Sequence, residues 1–166
     1  MNWHAIRERH KKCKREYVEY LGEVEEIEVE EEEMYKEIKR LAEEVQEAAG
    51  VNRMEMVYQE WMAYKLEDYG VEVKMEKVES VEKEENEISR YRLDIYLEEL
   101  DVVIEMKTCK SKKGVEQLKK YLKELKKKIG FLIQYVKGKV EVLMIFEHSD
   151  KEYYIYDGEN CYRHAG

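Results

Sequence analysis

Proline is absent from the 166 residues, and cysteine occurs only three times, at Cys13, Cys109 and Cys161. An odd number of cysteines so far apart in the chain excludes a disulfide framework and a CxxC metal knuckle. We therefore expect an intracellular, cytoplasmic protein. The lack of proline, beside many Glu and Lys residues, is typical of proteins from thermophilic sources.

Long apolar runs are also missing. No stretch reaches the length of a membrane span, and the N-terminus lacks the apolar core of a signal peptide. Charged residues make up 42% of the chain and hydrophobic residues 43%. This balance is typical of a compact fold with a heavily solvated surface. The sequence therefore predicts a soluble protein with no membrane partner.

Charge is unevenly distributed along the chain, whose net charge is -9. Residues 23–33, "EVEEIEVEEEE", contain eight Glu and no basic residue, whereas residues 107–128 contain ten Lys against two Glu. A local basic face attracts phosphates whatever the net charge. A solvated helix face is the alternative, and charge runs are usually of that kind.

Hydrophobic periodicity predicts an α/β order of elements. We expect a basic N-terminal helix over residues 3–21, followed by an acidic stretch that is either a strand or a connector. These form an N-terminal extension, residues 1–33, before one domain, residues 34–166. Within this domain we expect helices at 34–49, 53–69 and 115–128, and strands at 71–75, 88–97, 102–108, 129–136, 140–146 and 153–156. Turns are expected at 84–87, 137–139 and 157–160.

The segment "RLDIYLEELDVVIEMK", residues 92–107, places carboxylates inside two apolar strands. If "EELD" is a four-residue hairpin loop, Leu97 faces Val102 and Asp94 faces Glu105. Like charges on opposed residues repel each other unless something offsets them. Lys107 shares the face of Glu105. The arrangement predicts a site for a hard cation such as Mg²⁺, and an ordinary cross-strand salt bridge of Lys107 is the alternative.

These residues resemble a known motif. "LD" at 93–94 and "IEMK" at 104–107 look like the core motif of the PD-(D/E)XK nuclease superfamily. Further along the chain, Gln117 and Tyr121 match the QxxxY pattern that several branches carry on the next helix. The resemblance implies a restriction-endonuclease-like fold, with a central mixed sheet flanked by helices in the order αβββαβ.

The resemblance extends towards the N-terminus, to the GxxExxY branch of this superfamily. "EVQEAAGVNRMEMVYQE" has the spacing of this pattern, with Val45, Gln46, Gly50, Asn52, Glu55 and Tyr58 at its positions. The match covers about residues 36–146. Three positions depart from the pattern: Leu93 replaces the motif proline, Asn52 the leading glycine, and Gln46 the usual histidine.

The resemblance implies roles for individual residues. Asp94, Glu105 and the carbonyl of Met106 would hold Mg²⁺ or Mn²⁺, and Lys107 would position the attacking water. Gln117 and Tyr121 would orient these groups. Glu55 would reach the metal through water, although the helix dipole explains a Glu at a helix start equally well. The four histidines, His4, His10, His148 and His164, are expected on the surface.

The implied activity is metal-dependent hydrolysis of phosphodiester bonds, with DNA as the favoured substrate and RNA as an open alternative, by a chain that pairs as a homodimer. Phosphate contacts are expected from Arg92, Lys110, Lys112, Lys113, Lys119, Lys120, Lys123 and Lys127, although a surface pair of Arg92 with Glu98 or Glu99 is an equal alternative. The second hypothesis is a non-catalytic module that binds nucleic acid or protein. An iron-sulfur nuclease is disfavoured because it needs four clustered cysteines.

Overall fold

The computed structural model describes residues 17–19, 26–83, 86–110, 112–147 and 153–163. Its helices are α1 (Val29–Ala49), α2 (Glu55–Asp68) and α3 (Lys112–Glu124). Its strands are β1 (Tyr17–Glu19), β2 (Glu26–Glu28), β3 (Lys74–Lys83), β4 (Asn86–Leu97), β5 (Val102–Lys107), β6 (Ile129–Val136), β7 (Lys139–Glu147), β8 (Tyr153–Tyr156) and β9 (Cys161–Arg163). None of these three helices has the length and apolar character that crossing a membrane requires.

Strands β3 to β9 form one mixed sheet in their chain order. Strands β5 and β6 are parallel, because α3 connects them, and the other neighbours are antiparallel. This arrangement confirms the expected α/β class and the restriction-endonuclease-like order of helices and strands.

Two apolar layers cover the sheet. Helices α1 and α2 bury one face against strand residues such as Ile104, Phe131 and Met144. Helix α3 covers the other face, where Leu118 and Leu122 pack in the same cluster as Val103, Leu132 and Ile145. Both sides of β5 are therefore buried, which explains why its sequence is almost continuously apolar.

The N-terminal prediction was wrong in part. Residues 1–16 lie outside the described chain, but residues 17–19 form a strand instead of the end of a helix. Helix α1 begins at Val29, within the acidic stretch. The first turn of a helix stabilises negative charge, so the Glu residues after Val29 favour a helix start there. The helix crosses the expected boundary at residue 33, and the division into two parts remains a prediction.

Two helix ends explain where the neighbouring elements begin. Gly70 has a φ of 79°, and the Val71 amide donates to the Leu66 carbonyl at 3.0 Å. This is the Schellman form of helix termination, so β3 begins after it, at Lys74 rather than at Val71. Helix α3 ends in the same way at Glu124, four residues before the expected end. Lys126 adopts a φ of 57°, and the Lys127 amide donates to the Leu122 carbonyl at 2.8 Å.

The hairpins agree with the sequence more closely. "EELD" is the turn between β4 and β5, with Leu97 opposite Val102 as predicted. The hairpin of β6 and β7 and the strand β8 were also predicted. Strand β4 starts at Asn86, inside the expected turn, and residues 84 and 85 of that turn lie outside the described chain. Strand β9 was missed because its three residues give too short a pattern to read.

Candidate active site

Two carboxylates meet where the pairing of β4 with β5 stops. The ladder contains three pairs and ends at Ile95 opposite Ile104. One step further, the Asp94 amide donates to Glu105 Oε1 at 3.2 Å, and the Met106 amide donates to Asp94 Oδ2 at 2.9 Å. The side chains thus replace the backbone bonds that a regular ladder would make there. The predicted proximity of Asp94 and Glu105 is present, although they are not a regular ladder pair.

An irregularity in β3 and β4 coincides with Asp94. Met75 pairs with Ile95 and Lys77 with Leu93, but the intervening pair is missing, and Glu76 has a φ of 54°. Leu93 packs in the cluster beneath α3, whereas Ile95 packs in the cluster beneath α1 and α2. Strict alternation would put both on one face. The strand therefore turns at Asp94, and irregularities of this kind commonly re-aim a side chain beside an active site.

Burial makes the carboxylate pair unfavourable in its doubly ionised form. Glu105 is only 6% exposed. Burial raises the pKa of Glu105 to about 9, and the negative charge of Asp94 contributes to the increase, while Lys107 partly opposes it. A divalent cation beside both carboxylates would remove this cost, because it favours their ionised forms.

Lys107 ends β5 at the wall of an open cleft. The cleft has a volume of about 700 Å³ and is lined by Glu55, Lys107, Cys109, Lys113, Glu116, Gln117 and Lys120. Asp94 and Glu105 are not among these lining residues. Lys107 is half-buried. It is the residue of the Asp94, Glu105 and Lys107 motif that lines the cleft, and it lies two residues after Glu105 on β5.

Glu55 reaches the same cleft from the first turn of α2. Its Oε1 accepts a long hydrogen bond, 3.4 Å, from the amide of Thr108, directly after β5. Tyr58, the tyrosine of the GxxExxY pattern, has a structural role instead. Its ring stacks on that of Tyr135, with centroids 4.1 Å apart, and its hydroxyl donates to the Gly50 carbonyl at 2.9 Å. Of the two, only Glu55 is brought to the cleft.

Helix α3 places Gln117 and Tyr121 on the other side of the site. Burial raises the pKa of Tyr121, and the negative charges of Glu105 and Asp94 contribute to the increase. Gln117 is exposed, lines the cleft and hydrogen-bonds Tyr121. Helix α3 therefore does not bury Gln117 against the sheet.

Sequence reasoning missed Tyr91. Its ring lies 4.7 Å from that of Tyr121, and its hydroxyl hydrogen-bonds the Glu124 carboxylate on the same helix. Tyr91 therefore attaches α3 to the strand that carries Asp94. The alternation of aromatic and charged residues before Asp94 was the only signal in the sequence.

The lysines divide into two groups. Lys113 and Lys120 line the cleft, and Lys110 and Lys123 are exposed. Phosphate contacts of these four lysines remain a prediction. The side chain of Lys112 lies outside the described part, as do the four histidines.

Lys119 and Lys127 do not fit the predicted phosphate track. Lys119 is only 8% exposed. The Lys127 ammonium donates to the Tyr96 hydroxyl at 3.1 Å and lies 3.3 Å from Asp101 Oδ1. Because Lys126 turns the chain, Lys127 points to these partners instead of continuing the helix face. Arg92 is highly exposed and pairs with Glu76 at 3.5 Å, whereas Glu98 pairs with Lys74.

The donor set fits magnesium better than zinc. Within the ranges that the structure describes, no three His, Cys, Asp or Glu side chains converge on one point. Magnesium needs only one or two carboxylates and keeps several waters, whereas a zinc site usually takes three or four protein ligands. Asp94 and Glu105 meet the magnesium requirement, and the Met106 carbonyl remains a predicted third ligand.

Comparison with known proteins identifies the family of the chain. A family model of the PD-(D/E)XK nuclease superfamily matches residues 32–145. The chain belongs to the PD-(D/E)XK nuclease superfamily. Neither a curated protein nor a solved structure matches it. The matched range contains the Asp94, Glu105 and Lys107 motif with Glu55, Gln117 and Tyr121, so the superfamily supports a nuclease that hydrolyses phosphodiester bonds.

Proposed function

We propose that this chain is a divalent-metal-dependent nuclease of the GxxExxY-like branch that hydrolyses phosphodiester bonds in DNA. One observation carries the proposal. The Asp94 amide donates to Glu105 Oε1 at 3.2 Å, and the Met106 amide donates to Asp94 Oδ2 at 2.9 Å, so the two carboxylates lie side by side. Lys107, at the end of β5, lines an open cleft.

Asp94, Glu105 and the Met106 carbonyl are the residues that would hold Mg²⁺ or Mn²⁺. When bound there, the ion would supply Lewis-acid chemistry, lowering the pKa of water and neutralising phosphate charge. Without a cation, the raised pKa of Glu105 means that the pair retains a proton at neutral pH.

Lys107 is proposed to act directly on the substrate. Its ammonium lines the cleft, where it would contact the scissile phosphate and stabilise the negative charge that develops on it. It would also orient the attacking water. Gln117 and Tyr121 would act through hydrogen bonds that hold polar groups in place on the side of the site formed by α3. Glu55 would bind water on the α2 side.

The substrate is proposed to be DNA, held by the lysines around the cleft. Lys113 and Lys120 line it, and Lys110 and Lys123 would extend this basic surface. Such contacts reach phosphates and carry no sequence information, so binding should be independent of sequence.

A cleavage assay tests this proposal. The wild-type chain should be incubated with linear, circular, single-stranded and branched DNA, and with RNA, in Mg²⁺, in Mn²⁺ and in EDTA. We expect DNA cleavage that EDTA abolishes. Cleavage of RNA without cleavage of DNA would contradict the proposed substrate, and cleavage in EDTA would contradict the metal requirement.

One observation favours a second candidate, a non-catalytic binding module. Asp94 and Glu105 do not line the cleft, so a phosphate in the cleft meets Lys107 and not the carboxylates. Calorimetric titration with Mn²⁺ separates the two candidates. The nuclease predicts a Mn²⁺ site that Asp94→Ala removes, whereas the binding module predicts identical titrations for both chains.

A further inference from the structure

Helix α2 is apolar on two opposite sides. Tyr58, Met62 and Leu66 face inward and belong to the main core. On the outer side, Met54 immediately before the helix is 75% exposed, and Tyr64 is 63% exposed. Val57 and Trp61, between the two sides, are only partly buried against the main core, and large exposed apolar side chains that gather on one face mark an interaction site. The outer face of α2 is therefore a surface that a partner would cover.

The outer face forms a shallow groove of about 360 Å³, lined by Val57, Glu60, Trp61 and Tyr64. The rings of Trp61 and Tyr64 meet edge to face, with centroids 5.9 Å apart. Aromatic side chains of this kind are enriched at the centres of protein interfaces. The acidic Glu60 and, further along, Glu67 and Asp68 disfavour a nucleic acid as occupant.

The spacing of the apolar residues specifies how a helix would pack on this face. Val57, Trp61 and Tyr64 occupy successive d, a and d positions of a heptad pattern, and Met54, the extended residue immediately before the helix, continues the same spacing. This pattern is the seam of a two-stranded coiled coil. Asp68, at the next a position, ends the seam close to the end of the helix.

The charges on both sides of the seam select a partner and a direction. In this heptad Glu60 is a g position and Lys65 the following e position. When two such helices run parallel, the g residue of one lies beside the e residue of the other. Glu60 then meets Lys65 of a second copy, which is an attractive pair. In an antiparallel arrangement Glu60 would instead lie near Glu60 of the second copy.

We propose that the outer face of α2 is the interface with a second copy of this chain, packed in parallel around a twofold axis along the helix. The interface itself does not depend on the nuclease assignment. One consequence does rest on the proposed function: Glu55, at the start of α2, lines the cleft, so the twofold axis places both clefts at the same end of the dimer. Both sites could then engage one DNA molecule.

Sedimentation equilibrium of the full chain tests the interface. A seam of two heptads is short, so we measure from about 1 to 100 µM, the range of weak interfaces. The mass should rise with concentration towards twice the 20.2 kDa of the chain. Trp61→Glu and Tyr64→Glu should each weaken association at least tenfold. Val78→Glu is the matched control, because Val78 is exposed on β3 and does not line the groove, and it should have no effect.

The direction of packing has its own test. Glu60→Lys should weaken association, and adding Lys65→Glu should restore it. Tyr64→Cys, in a chain with Cys13 and Cys109 changed to Ser, should form a disulfide between the two copies, because d positions of parallel helices adjoin. A monomer at every concentration, a dimer insensitive to Trp61→Glu, or no disulfide at Tyr64→Cys would overturn the proposal. None of these measurements reads cleavage, so the nuclease proposal is tested separately.

Discussion

The stability of the metal-free protein should fall as the pH rises, and Glu105→Gln should remove part of this dependence. Burial and the charge of Asp94 raise the pKa of Glu105 from 4.5 to about 9 in the folded chain. Below pH 4.5 the carboxyl is protonated in both the folded and the unfolded chain, so it causes no penalty. Between the two pKa values, unfolding releases the proton. The stability therefore decreases throughout this window and levels off above the folded pKa.

The size of the effect follows from one proton released on unfolding. Within the window, each pH unit lowers the free energy of unfolding by about 1.4 kcal/mol. For a chain of this length, 1 kcal/mol corresponds to a change in Tm of about 2 to 4 °C. The Tm of the wild-type chain should thus fall by roughly 3 to 6 °C per pH unit relative to Glu105→Gln, which carries no titrating carboxyl.

Thermal unfolding followed by circular dichroism in EDTA, between about pH 5 and 8, measures this difference. Glu159→Gln is the control, because Glu159 is exposed on the turn before β9, and it should reproduce the wild-type slope. Adding Mg²⁺ should flatten the wild-type curve, since the bound ion favours the ionised pair. Parallel curves for the wild type and Glu105→Gln in EDTA would refute the reasoning.

Three further predictions concern the carboxylate pair, the lysines around the cleft and the packing of α3 on the sheet. Asp94→Asn should raise the Tm of the metal-free protein by a few degrees at pH 8, in thermal unfolding, because the charge of Asp94 no longer raises the pKa of Glu105 and the Asn oxygen still accepts from the Met106 amide; an unchanged Tm would contradict the coupling of the two carboxyl groups. In Ca²⁺, replacing Lys120 and Lys123 with Ala should flatten the salt dependence of DNA binding by about one to two units. Lys127→Ala should leave that slope unchanged, because its ammonium is bound to Tyr96 and Asp101; the opposite pattern would contradict the phosphate track proposed here. Gly130→Ala should lower the free energy of unfolding by about 1 to 3 kcal/mol in urea titrations, since its Cβ would lie 3.0 Å from Leu118; unchanged stability would show that α3 moves away easily.

The sequence predicted the carboxylate pair because hairpin geometry is local. A four-residue loop fixes which residues of β4 and β5 are opposed, and the observed register agrees with this from Leu97 to Ile95. The turn of the strand at Asp94 was not predictable. It depends on a positive φ at Glu76, a residue type that gives no sign of this conformation.

The lysine surface was predicted less well, because helix phase and helix ends decide where each ammonium points. Lys119 follows Leu118 on the side of α3 that packs on the sheet, so the helix buries it. Lys127 lies beyond a helix end formed by a lysine with a left-handed φ, where glycine is usual. The contact of Lys127 with Tyr96 joins residues 31 positions apart. Local patterns carry no information about such a pairing.

Turnover of DNA by Lys107→Ala and Glu105→Gln in Mg²⁺ tests the central claim most directly. Both side chains are proposed to act at the phosphate or at its metal, and neither forms part of the apolar core. Each variant should therefore keep the wild-type circular dichroism spectrum and lose about 100-fold or more in turnover, while Glu159→Gln keeps the wild-type rate. Folded variants that retain turnover within a few-fold of the wild type would contradict the account, because the residues brought together at the end of β5 would then not carry the reaction.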